Sequence, residues 1–132
     1  MGTAKYGLFP YGPQNPSAIV EFDVDPSTTE IYIGDIVKIV TDVGVAQMGA
    51  ADGIAAGVAV GFLNADGIPV PYYGYPTTSS TADTGWKCLV NTDPHQRYMV
   101  HYYHESTALD ATYVGTTADI VVGTGNTTTG LS

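Results

Sequence analysis

Three histidines, one cysteine and a few turn-bound carboxylates are the residues of this chain that could do chemistry. His95, His101 and His104 are its only histidines. His101 and His104 stand three positions apart, a spacing that on a strand sends them to opposite faces. Zinc takes three or four converging ligands, so the pair makes a poor metal site and reads as rim histidines with ordinary hydrogen bonds. The lone Cys88 can close neither an internal disulfide nor a cysteine-based zinc site, and reads as a small buried hydrophobe. Asp23, Asp25 and Glu30 lie among turn residues, where carboxylates cap turns, and lack the Asp-x-Asp-x-Asp-Gly spacing of a calcium loop. Ser, His and Asp are all present, but no Gly-x-Ser-x-Gly elbow occurs. Neither "GVAVGF" nor "GTGNTTTG" contains the Gly-Lys-Ser/Thr of a phosphate loop, and no helix pattern follows the second. These residues point away from an enzyme and supply no catalytic, metal or cofactor site.

The elements that would hold such residues are strands and turns. The chain has 132 residues, enough for one domain that buries roughly two-thirds of its unfolded surface. Charged residues make up 13%, about half the usual share, and Gly (16), Tyr (10) and Pro (8) fill the gap. Such a composition suits strands better than helices. Thirteen acids against four bases give a net charge of −9. That sign is wrong for phosphate backbones and for anionic membrane surfaces, so no nucleic-acid or membrane partner is expected. No apolar run approaches the ~20 residues of a membrane helix, and no signal sequence opens the chain. The expectation is a soluble protein folded in a reducing compartment.

Residues 1–17, "MGTAKYGLFPYGPQNPS", have neither a helix nor a strand period. Tyr6, Leu8, Phe9 and Tyr11 make this arm too apolar for a solvated tail, so it should dock, either on its own body or on a neighbouring subunit. Residues 18–132 form the single β-rich domain. Strands are expected in 31–42, 53–62, 86–91, 97–105, 111–115 and 118–123, with Asp-Gly turn signals at 52–53 and 66–67. The proline-broken "IPVPYYGYP" (68–76) suits an edge or loop. Ser106 could cap a short helix near 106–112. The last residues run out in turn types, so either the final strand precedes Thr124 or the molecule continues beyond Ser132. The fold class is all-β, a small β-barrel or sandwich with an extended N-terminal arm.

"GIAAGVAVGF" (53–62) alternates small with large residues. Three glycines in ten residues would cost a helix about 0.8–1 kcal/mol each, so the segment reads as a strand with a two-residue period. Ile54, Val58, Val60 and Phe62 would face the core. Gly53, Ala55, Gly57, Ala59 and Gly61 would lie bare beneath a close backbone or an aromatic cover drawn from the arm or from Tyr72, Tyr73 and Tyr75.

Three stretches carry a resemblance: "AKYGLFPYG", then "IYIGDIVKI" followed by "GIAAGVAVGF", and the late "ADIVVGTGNTTTGLS". In this order they resemble the head decoration, or cement, proteins of tailed bacteriophages. The resemblance implies a non-enzymatic virion protein on the outer capsid surface, assembled in the bacterial host cytoplasm. It would be a homotrimer bridging neighbouring subunits of the major capsid protein, and its relatives run past the "TTTG" segment. The bottom-up reading is compatible, because aromatic residues suit interfaces. The contact residues on this reading are Tyr6, Leu8, Phe9, Tyr11, Tyr72, Tyr73 and Tyr75. The alternative is a carbohydrate- or ligand-binding β module that stacks sugars on Tyr72, Tyr73, Tyr75 and Trp86. A small hydrolase would require two of the histidines to meet a carboxylate.

Overall fold

Runs of β-branched residues cut by Gly and Asp turns fold into eight short strands among the described residues of the computed structural model, which are 7–28, 31–49, 52, 54–74, 85–100 and 111–116. The strands are β1 (Phe9–Tyr11), β2 (Ile19–Asp23), β3 (Ile36–Val40), β4 (Gly44–Gln47), β5 (Gly57–Leu63), β6 (Pro69–Val70), β7 (Lys87–Asn91) and β8 (Arg97–Met99). The fold is all-β. One antiparallel sheet runs in the order β2-β7-β5-β3-β4, with β6 on the end of β5, and β1 and β8 form a separate two-stranded ribbon. Among the described residues helix is limited to two single 3₁₀ turns, Pro16–Ala18 and Ala111–Tyr113.

The turns follow from their residues. Asp42 takes a positive φ of 62° between β3 and β4, a conformation its short polar side chain tolerates. Between β5 and β6, Asn64 Oδ1 accepts the N–H groups of Asp66 and Ile68 at 2.9 and 3.0 Å, which is the expected Asp-Gly turn held by an asparagine. β7 shows the expected alternation, with Trp86, Cys88 and Val90 buried and Lys87 and Leu89 half-exposed. These three join Val24, Ile31, Val37, Val45, Ala59, Phe62 and Tyr73 in one core. Tyr73 meets Trp86 edge to face at 5.4 Å, a geometry that adds about 0.5–1.5 kcal/mol beyond area burial.

β5 departs from the strict two-residue period. Ala59 pairs with Val90 and Gly61 with Leu89, so Val60 is an extra residue and the strand bulges there. The bulge switches faces. Before it, Gly57 and Ala59 point at the core; after it, Phe62 does. The expected core face of Ile54, Val58, Val60 and Phe62 is therefore wrong for three of the four. Ile54 is 85% exposed, Val60 is half-buried, and Val58 is buried on the opposite face, in register with Ile36 and Asn91. Of the small residues, Gly57, Ala59 and Gly61 are covered, though mostly not by aromatics; Ala55 is exposed, against expectation, and Gly53 lies outside the described residues. A Cβ built on Gly57 would overlap the Asn91 carbonyl oxygen and lie 2.8 Å from Val90 Cγ1, while Leu89 Cδ1 lies 3.3 Å from the Cβ position of Gly61. Ala59 shares the core with Tyr73.

The sheet curls without closing into a barrel among the described residues. Its outer strands meet at one parallel bridge, Val24 to Val45, beside which the Asp25 N–H donates to the Val45 carbonyl at 2.9 Å. Strand bounds also differ from expectation. Residues 31–35 form bridges and a turn before β3, β8 stops at Met99, and 111–113 is a 3₁₀ turn in place of a strand. The expected strand at 118–123 and Ser106 of the expected helix lie outside the described residues. Glycine substitution separates the close approach from mere small size. Gly57→Ala should lower unfolding stability by about 2–3 kcal/mol because backbone must move. Gly61→Ala should cost under about 1 kcal/mol, since a flexible leucine end can yield. Urea unfolding of both variants measures the difference.

Candidate functional site

Among the described residues the chemistry-bearing side chains do not converge. Cys88 is buried beneath the sheet, and burial, with a smaller contribution from the charge of Asp35, pushes its thiol up to about 12. Such a thiol is neither a nucleophile nor a metal ligand near neutral pH. Asp25 caps its turn as expected, accepting the Ser27 N–H and hydroxyl on Oδ1 at 2.8 and 2.7 Å. Asp35 is buried and accepts the Tyr32 N–H and the Gln47 amide on Oδ2 at 2.9 and 3.1 Å. Asp23 is paired with Lys87, whose ammonium pKa is raised chiefly by that hydrogen bond. Asp52 is paired with Lys38 at 2.8 Å, and its carboxyl is held below the usual range by that bond and by the Gly49 N–H. His95 is exposed and donates its backbone N–H to Asp93. His101, His104 and Glu30 lie outside the described residues. Among the described residues no three His, Cys, Asp or Glu groups gather as a metal site would require.

The aromatic candidates divide. Tyr72 and Tyr73 are corrected from contact residues to core: they are 2% and 0% exposed. Tyr72 bridges to Tyr32 with ring centroids 5.3 Å apart, and the Tyr73 N–H donates to the Ile31 carbonyl. Trp86 is 5% exposed. None of the three offers a ring face to a sugar. Tyr6 and Tyr75 lie outside the described residues.

The arm, from Gly7 onward, docks on its own body. The Leu8 N–H donates to the Gly34 carbonyl at 3.0 Å, and the Cβ position of Gly34 lies 3.0 Å from Gly7 Cα, so a side chain there would displace the arm. Phe9–Tyr11 then pairs antiparallel with Arg97–Met99, placing Phe9 opposite Met99 and Tyr11 opposite Arg97. Residues two apart share a face, so Phe9, Tyr11, Arg97 and Met99 form one side of the ribbon. Tyr11 and Met99 are 59% and 57% exposed, and Arg97 is exposed as well. Pro10 and Tyr98, on the other side, are half-buried, and burial raises the Tyr98 hydroxyl above its ordinary pKa. Lys38 and Lys87 are ion-paired, whereas no carboxylate among the described residues lies within ion-pair distance of Arg97.

Gln96 fastens this ribbon to the sheet. Its Nε2 donates to the Tyr11 and Arg97 carbonyls at 3.2 and 3.0 Å, and its Oε1 accepts from Asn91 Nδ2 at 3.5 Å. Asn91, at the end of β7, is buried, and its Oδ1 accepts the Asp93 N–H. The sequence reading named Leu8, Phe9 and Tyr11 as contact residues and did not name Gln96, Arg97 and Met99, which the β1–β8 pairing sets beside them. The aromatic run at 97–105 was the available signal, and only the pairing with β1 turns it into a surface. Tyr, Phe, Met and Arg are the types enriched where proteins meet. Compared with known protein families, curated proteins and solved structures, the chain matches none.

Burial of Cys88 has a pH consequence. A thiol that holds its proton more tightly when folded stabilises the fold fully below pH 9, its ordinary value. That contribution is lost as pH rises from 9 toward 12. Relative to Cys88→Ala, the native chain should lose stability across that window in pH-dependent urea unfolding. At pH 8 a thiol reagent should label Cys88 only as fast as the protein opens.

Proposed function

We propose that this chain is a non-enzymatic virion structural protein that binds the outer surface of a phage capsid and bridges neighbouring major capsid protein subunits as a homotrimer. The observation that carries the reading is the ribbon face of Phe9, Tyr11, Arg97 and Met99, which presents interface-type side chains on a chain of acidic net charge. The resemblance of "AKYGLFPYG", "GIAAGVAVGF" and "ADIVVGTGNTTTGLS" to head decoration proteins supplies the class of partner. A cement protein needs a rigid body, a contact surface and reach, and no reacting groups. The arm meets this need by being anchored at Gly34 and Gln96, so its aromatics are held in place before contact and less ordering entropy is lost on binding.

The mechanism is multivalent. Each copy contributes modest contacts, and several copies joined in one trimer act at high effective concentration on adjacent shell subunits. Binding to the assembled shell and not to free subunits draws the equilibrium away from disassembly. A sugar-stacking module is not favoured, because Tyr72, Tyr73 and Trp86 are buried.

The test is cosedimentation of the purified chain with capsid shells assembled from the major capsid protein of its own phage. Saturable pelleting at a fixed ratio to shell subunits is expected. A chain that stays in the supernatant at all ratios overturns the reading. Tyr11→Ala with Met99→Ala should weaken binding by about 30-fold or more while leaving the melting temperature nearly unchanged, as expected for paired contact residues.

A further inference from the structure

We draw no further inference here: the strongest candidate, the exposed apolar side chains of Val20 on β2, Ile39 on β3 and Val43 in the turn between β3 and β4, carries nothing because nothing in the structure shows what covers them.

Discussion

The close crossing of β5 and β7 at Gly57 and Asn91 is the contact on which the rest of the molecule depends. A carbonyl group occupies the space a side chain of residue 57 would fill. With β7 drawn in at that point, Val90 and Ala59 become paired core residues, and one extra residue at Val60 lets Phe62 enter the same core farther along. Asn91 passes the constraint outward. It is the last residue of β7, and through the Gln96 amide it sets where the Tyr11 carbonyl sits. The surface side chains of the ribbon thus inherit their position from a backbone contact inside the sheet.

Buried polar groups hold the other side. Asp35 and Thr28 each accept a hydrogen bond from Gln47, one from its side chain and one from its backbone. These bonds fix the end of β4 beside the turn that Asp25 caps. Such groups are costly unless satisfied, so the satisfied set favours one alignment of β4 over its alternatives. The two surface ion pairs, Lys38–Asp52 and Lys87–Asp23, are solvent-screened and decide little about the fold.

What could be read from the sequence was whatever repeats locally. β7 is legible because Trp86, Cys88 and Val90 alternate with Lys87 and Leu89, and the all-β class follows from many such short runs. β2 and β4 were not legible. "IVEFD" is a single edge strand that exposes Val20, and "GVAQ" opens on a glycine whose reason is the Asp23 backbone opposite it. The bulge in β5 leaves no local mark, since it is a mismatch in count between two strands and not a property of either. Tyr72 and Tyr73 sit amid Pro and Gly, which reads as an open loop. They are buried because that loop folds back against Ile31, Tyr32 and Trp86. Half of the candidate site was visible in Phe9 and Tyr11, whereas Arg97 and Met99 became part of it only through a pairing some ninety residues distant in the chain.

That distance has a kinetic meaning. Pairing Phe9 with Met99 closes a long loop, and the entropy of closure is offset only once the intervening sheet already brings the two segments together. The β3–β4 and β5–β6 hairpins close over a few residues each and can form early. The ribbon then belongs to the last stage of folding and, by the same ordering, to the easiest stage of partial opening. Amide hydrogen exchange in β1 and β8 would accordingly report sub-global opening, while that in β5 and β7 would report unfolding of the whole.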